Sequence, residues 1–433
     1  MELTNNILFS PSSILVTLVT VALLTNQAWP HLARSKQTNK VAGSTPDSTS
    51  TPTLSVSKET EIPEGWLTDS AIFELERRGL FSQTWIYLAH SGQFTKPGMY
   101  QSFDIAGFPV FVIRGKDGKI RAFHNVCRHR AYTITRKETG ASTVLGCRYH
   151  GWSYDTTGRL VKAPQFDNVP GFDKSQNSLF EIHAHTTPQG FVLVNLKAEE
   201  PSPLDDEAMS KLNEFSVVSG LQPDSLWIAG QTLSADFNWK MGMKPSILES
   251  FTTELENNLP GTFGRSTFKD AVRSIFQANP LDESYHFPTT IFHSFVDTNF
   301  WLALSFFPAS ECKTHIRYDV FSHSSFGEVK TKAISAALES ASDNLKRGIE
   351  NEYETVTKEQ RFPVEFENQD TGESLRRISE HRRLEKMQGS HIYPAMRKPK
   401  GSNLFQQAEK VCSELDCISG GSKNGNSSTV LDW

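Results

Sequence analysis

Two short loops constrain this chain more than anything else in it. The first reads Asn125-Val126-Cys127-Arg128-His129-Arg130, and with 17 residues between His129 and Cys147 the second reads Cys147-Arg148-Tyr149-His150-Gly151-Trp152. Each loop offers one thiolate and one imidazole. A [2Fe–2S] cluster of mixed ligation takes this donor set: two Cys hold one iron, two His hold the other, and the neutral imidazoles raise the reduction potential above that of an all-thiolate cluster. Cys127 and Cys147 would share one iron, His129 and His150 the other. The competing reading is a Cys2His2 zinc tetrahedron, which accepts the same ligand types. Zinc fingers pair Cys with Cys and His with His along the chain, whereas here each loop mixes them between strand-like segments, with Gly146 and Gly151 at the turns. The spacing favours the cluster.

The rest of the chain is large enough to house such a site. Its 433 residues, 37% apolar and 21% charged, suffice for two globular domains with full-sized cores. The net charge is only −5, with 44 basic residues scattered among 49 acidic ones, so no positive strip exists to neutralise a phosphate backbone, and nucleic acid is excluded as a partner. Five cysteines, at 127, 147, 312, 412 and 417, do not form a secreted disulfide framework. Cys412 and Cys417 read as free thiols in a polar C-terminal segment.

The apolar run Ile7–Leu24 has nearly the length needed to cross a bilayer, making residues 1–30 a candidate membrane anchor. The positive n-region of a secretory signal is absent before it, and positive charges follow at Arg34, Lys36 and Lys40. By the positive-inside rule the globular part then lies in the cytosol, with the amino terminus outside. Residues 31–62, rich in Ser, Thr and Lys, read as a disordered linker, and residues 411–433 as a disordered tail.

Between these ends, Thr68–Gly79 has the pattern of a short amphipathic helix ended by Gly79. Strand-like alternation follows over Phe103–Ile113 and Lys119–Phe123, joined by the turn Gly115-Lys-Asp-Gly118, and the small β-domain is assigned to residues 63–170. The second domain, 171–410, holds strand-like runs at Gly190–Asn195, Phe300–Phe307 and Thr314–Phe321, and one or two long helices over 328–360.

The likeness extends past the four ligands. Trp85-Ile-Tyr-Leu-Ala-His90, the turn at Pro97-Gly98, Val110-Phe-Val-Ile-Arg114 and the two cluster loops resemble the Rieske domain of ring-hydroxylating and choline-type oxygenases, including fungal-type members. One departure is Ala131, where that family usually has Gly. The resemblance implies an α+β architecture: an N-terminal all-β Rieske domain, then an antiparallel-sheet, helix-grip (START-like) domain of catalytic type.

It further implies a mononuclear Fe(II) in the second domain, held by two His and one carboxylate with an open face for dioxygen and substrate. The landmark Asn238-Trp239-Lys240 introduces the helix that bears the two His in the family. On that helix Glu249 takes the place of the acidic residue that bridges to a cluster His, while Thr252 and Asn257 stand at the His positions. Glu352, eight residues before Gln360, matches the carboxylate position. His286 and His293, in Asp282-Glu-Ser-Tyr-His286-Phe-Pro-Thr-Thr-Ile-Phe-His293, are the substitute ligands to consider, against the plainer reading that both lie on strands as structural residues.

In function the resemblance implies a mono- or dioxygenase fed single electrons by an NAD(P)H-dependent reductase, acting on an apolar small molecule such as a natural-product intermediate, with a ring-shaped homo-oligomer as its assembly. The rivals are an electron-transfer or accessory protein whose mononuclear site is degenerate, and a structural relative in which residues 252–285 are substituted or shortened.

Overall fold

The computed structural model describes residues 62–167, 169, 171–259, 283–295, 300–359 and 369–394. The chain divides into a unit from Met1 to Glu59 and one from Thr60 to Trp433, and every described residue belongs to the second. The candidate anchor, the linker up to Ile62, Gln360, Cys412, Cys417 and the tail lie outside the described residues. Among those described, no helix is long and apolar enough to cross a membrane.

Helix α1 (Ser70–Glu76) starts at Asp69, whose carboxylate accepts the Ala71 N–H at 2.7 Å, and continues as a π-helical turn over Arg77–Phe81. Gly79 therefore does not end the helix. It is small because a Cβ there would lie 2.8 Å from that of His381 on a crossing helix. The following strands are β1 (Ile86–His90), β2 (Met99–Ile105), β3 (Phe108–Arg114), β4 (Ile120–His124), β5 (Thr139–Ala141), β6 (Val144–Gly146), β7 (Ser153–Asp155), β8 (Leu160–Lys162), β9 (Glu181–Thr186) and β10 (Phe191–Asn195). The run expected as one strand over Phe103–Ile113 is instead a hairpin. Ala106 and Gly107 both take positive φ, 53° and 76°, and Ile105 pairs with Phe108 across the turn. A two-residue turn of that kind favours Asn-Gly, so Ala-Gly inside an apolar run leaves no strong turn signal.

Seven strands form one antiparallel sheet, ordered β1-β10-β9-β4-β3-β2-β5, and β6-β7-β8 form a small second one. Strand β10, which the sequence places in the second domain, thus completes the first sheet beside β1. Alternation and apolarity locate a strand but not its neighbour.

Next come α2 (Asp206–Ser219), β11 (Leu226–Ala235), a 3-10 turn over Trp239–Met243, α3 (Pro245–Asn258), β12 (Glu283–His286), β13 (Thr290–Ser294), β14 (Phe300–Ser310), β15 (Lys313–Ser322), α4 (Glu328–Glu359) and α5 (Gln369–Gln388). Strands β11-β15-β14-β13-β12 make a five-stranded antiparallel sheet. Its central strands β14 and β15 are buried along most of their length because both faces are covered. Phe292, Trp301 and Ala303 pack with Tyr87, Phe191 and Leu193 of the first sheet and Phe215 of α2. Ile291, Leu302 and Leu304 pack with Leu248 and Phe251 of α3 and Leu338 and Leu345 of α4. The α+β fold with a long helix laid on an antiparallel sheet matches the expectation. Helix α5 has no counterpart in the sequence reading, since nearly half of its residues are charged and few are apolar; it is fastened through Glu385, which accepts from Arg78 at 2.7 Å.

Candidate iron–sulfur centre

The two Cys/His loops are near copies of one another in backbone as well as in sequence. The Cys127 N–H donates to the Tyr132 carbonyl at 2.8 Å and the Cys127 carbonyl accepts from Ala131 at 2.9 Å; the Cys147 N–H donates to Trp152 at 2.8 Å and its carbonyl accepts from Gly151 at 2.9 Å. Each turn closes through a residue at positive φ, Ala131 at 55° and Gly151 at 71°. Glycine meets that demand without cost, and alanine meets it against a penalty of about 1–2 kcal/mol. Asn125 fixes the base of the first loop: its side-chain carbonyl accepts the Ile134 and Thr135 N–H groups at 3.2 and 2.9 Å and its amide donates to the Thr135 carbonyl at 3.0 Å.

Closed in this way, the loops bring like donors together. Cys127 and Cys147, both buried, share a hydrogen bond; it holds the Cys147 thiol below its ordinary range and raises that of Cys127, which burial raises further. The Tyr149 and His150 N–H groups also face the Cys147 sulfur, and the His129 N–H faces that of Cys127. Amides so aimed stabilise thiolates. The rings of His129 and His150 lie 4.5 Å apart at 72°. Among the described residues no three His, Cys, Asp or Glu side chains converge on a single metal position. Thiols facing thiols and imidazoles facing imidazoles fit the two ends of a dinuclear cluster, not one tetrahedron.

The surroundings add what the four-residue pattern does not reveal. Trp152, fully buried, stacks on His129 at 5.0 Å and 9°, and Phe166 closes edge-on at 5.2 Å. The Tyr154 hydroxyl lies 3.2 Å from the Cys127 sulfur while accepting the Arg128 N–H at 3.1 Å. Arg128 turns away from the site, its guanidinium 3.7 Å from the centre of the Phe180 ring. On the outer side Tyr149, 46% exposed, leans over His150 at 4.0 Å and stacks with Tyr132 at 5.3 Å. The buried side is dry and aromatic, and the His150 side approaches solvent.

Residues 84–173 match the family model of the Rieske [2Fe-2S] domain. The carnitine monooxygenase oxygenase subunit of Acinetobacter baumannii is 27% identical over 285 residues, covering 60% of this chain and 75% of that protein. The glycine betaine monooxygenase oxygenase subunit of Chromohalobacter salexigens is 32% identical over 181 residues, 42% of this chain and 39% of its own. Residues 84–173 thus form a Rieske-type [2Fe–2S] domain, and the chain as a whole is similar to the large subunits of Rieske-type oxygenases. In fold it is similar to a solved quaternary ammonium Rieske monooxygenase bound to L-carnitine, with a TM-score of 0.54 at 24% identity over 70% of this chain and 85% of that one.

Rieske oxygenase large subunits carry a mononuclear iron, and this chain's residues at the corresponding positions do not fit one. Thr252 on α3 turns its hydroxyl back onto the Leu248 carbonyl at 3.0 Å. Asn257 and Glu249 are exposed on the same helix. Glu352 on α4 accepts a hydrogen bond from the ammonium of Lys244, which is buried at the start of α3. His286 and His293 do not replace the missing pair. Across the β12–β13 hairpin His286 faces Thr290 and Glu283 faces His293, so the pleat sends the two histidines to opposite faces of the sheet. The His286 Nε2 lies 3.3 Å from the Trp85 carbonyl, and burial lowers its pKa to about 4; His293 Nδ1 lies 3.8 Å from the Glu283 carboxylate.

The landmark Asn238-Trp239-Lys240 has an architectural role here. Asn238 caps the 3-10 turn, Trp239 Nε1 donates to Glu76 at 3.0 Å, and the Lys240 ammonium donates to the same buried carboxylate at 2.6 Å while lying 4.4 Å from the centre of the Trp66 ring. The tripeptide anchors α1 beneath the second domain.

Proposed function

We propose that the chain is the electron-accepting large subunit of a Rieske-type oxygenase, in which Cys127 and Cys147 hold one iron of a [2Fe–2S] cluster and His129 and His150 the other. The observation that carries this reading is the pair of matched loops, which face thiol to thiol and imidazole to imidazole. The cluster supplies storage of one electron at a time. The protein sets its potential through the amides and the Tyr154 hydroxyl directed at the sulfurs, and Trp152 and Phe166 keep water from the inner imidazole.

Electrons come from an NAD(P)H-dependent reductase, O2 is the oxidant, and the substrate is an apolar small molecule of natural-product type. Membrane attachment through residues 7–24, with the globular part in the cytosol, would put the enzyme where such a substrate partitions. The assembly is a homo-oligomer. The test is NAD(P)H and O2 consumption by the full chain with a reductase, across apolar compounds and the quaternary ammonium compounds for which two relatives are named. Under the oxygenase reading, substrate-dependent consumption with an oxygenated apolar product follows; turnover of quaternary ammonium compounds alone would overturn the substrate class.

A second reading, an electron carrier that has given up its own oxygen chemistry, is favoured by one observation, the Lys244–Glu352 pair at the carboxylate position. Under it the reductase reduces the cluster but no compound in the panel accelerates NAD(P)H consumption.

A further inference from the structure

We propose that Lys244 takes over the charge role of the mononuclear iron in the second domain, its ammonium balancing Glu352 so that this part of the fold closes without metal. The inference deepens the electron-carrier reading and rests on the chain being of the Rieske oxygenase type.

The position of Lys244 is otherwise hard to account for. It is the N-cap residue of α3, makes no side-chain cap, and precedes a first turn that contains no acidic residue. A cation at a helix amino terminus opposes the helix dipole, and N-caps favour Ser, Thr, Asn or Asp, whose side chains accept a backbone N–H. Its side chain is also 3% exposed, and a buried ammonium requires a partner. Both liabilities are offset by Glu352, which reaches in from α4 to accept its hydrogen bond.

Glu352 is the acidic residue that the family likeness assigns to the metal, and its carboxylate meets an ammonium instead. The change is consistent at the neighbouring position: Thr252, where a His ligand would stand, spends its hydroxyl on the Leu248 carbonyl of its own helix. Neither side chain is left open toward a metal: the Thr252 hydroxyl is satisfied within its own helix and the Glu352 carboxylate is an ion-pair acceptor.

The test uses the full-length protein, purified anaerobically and given excess Fe(II) before desalting. Iron and acid-labile sulfide are counted, and thermal melting is followed with and without Fe(II). We expect about two irons and two sulfides per chain and no Fe(II)-dependent rise in melting temperature. Glu352→Gln should lower the melting temperature by roughly 5 °C, because it leaves the buried Lys244 ammonium unpaired, and adding Lys244→Met should recover most of that loss.

A third iron retained by the wild-type protein and lost on Glu352→Gln would overturn the proposal. So would a double variant no more stable than Glu352→Gln alone. The iron count on the unmodified chain decides the matter even where a variant does not fold. Absence of sulfide altogether would instead overturn the Rieske reading beneath it.

Discussion

Ala131 and Tyr154 are the two residues at which the cluster loops depart most informatively from a bare ligand pattern. Ala131 occupies the positive-φ position that its twin loop fills with Gly151. Replacing it with glycine removes a left-handed penalty of about 1–2 kcal/mol and adds unfolded-state entropy worth about 0.5–1 kcal/mol. Ala131→Gly should therefore stabilise the protein by up to about 1 kcal/mol in urea unfolding; a loss of stability would show that the methyl group makes a contact worth more than its strain. Tyr154 directs its hydroxyl at the Cys127 sulfur from 3.2 Å. A hydrogen bond to a cluster thiolate favours the reduced, more negative state, so Tyr154→Phe should lower the potential by roughly 50 mV at unchanged iron content, the equivalent of about 1 kcal/mol for one electron. An unmoved potential would mean that the His129 N–H alone sets that sulfur's environment. The ligand residues were legible in the sequence because iron demands particular atoms at particular spacings. Tyr154, Trp152 and Phe166 carry no such signal, since an aromatic after a ligand reads equally as ordinary core.

At the level of elements, the Glu76–Lys240 pair joins α1 to the turn before α3 inside the core. Both side chains are almost fully buried, and Lys240 is further enclosed by Trp66 and Trp239. Breaking such a pair leaves one charge uncompensated and typically costs about 3–5 kcal/mol, whereas removing both partners costs much less. Lys240→Met should destabilise by about 3 kcal/mol in denaturant unfolding, with much of it restored by Glu76→Gln; equal losses in the single and double variants would place the effect in packing rather than charge. Strands β4, β10, β14 and β15 were legible from their apolar patterns, and α4 from helical spacing. The Ala106-Gly107 hairpin lacked the turn residues that would have marked it. The allegiance of β10 to the first sheet and helix α5 each depend on a partner far away in the chain: β1 for β10, and Arg78 for the Glu385 that holds α5.

Across the whole molecule, two of the histidines that burial holds neutral are His90, which bridges to Gln189 at the end of β1, and His286, under Trp85. Both are lowered from 6.5 to about 4, burial being the main cause. In the unfolded chain they take up protons near pH 6.5, and in the folded chain they do not until near pH 4. Their stabilising effect is thus complete above the upper value and is lost as pH falls through the window, with a slope rising toward about 1.4 kcal/mol per pH unit for each histidine. Urea unfolding of wild type and His286→Gln between these pH values should show the variant with a slope smaller by about one proton; parallel curves would place the titration elsewhere. The α+β architecture was legible at this scale, whereas the expected boundary at residue 170 cuts through the first sheet, which includes β9 and β10. The second site was legible only as a departure, because Thr252 and Asn257 say what is missing while Lys244 becomes meaningful once α3 and α4 are folded together.

The most direct test of the account is the nitrogen hyperfine spectrum of the chemically reduced full-length protein. Coupling to two imidazole nitrogens, falling to one when His150 is replaced by Cys, is the result predicted for a [2Fe–2S] cluster held by Cys127, Cys147, His129 and His150. A reduced cluster without nitrogen coupling, or zinc in place of iron and sulfide, would contradict it.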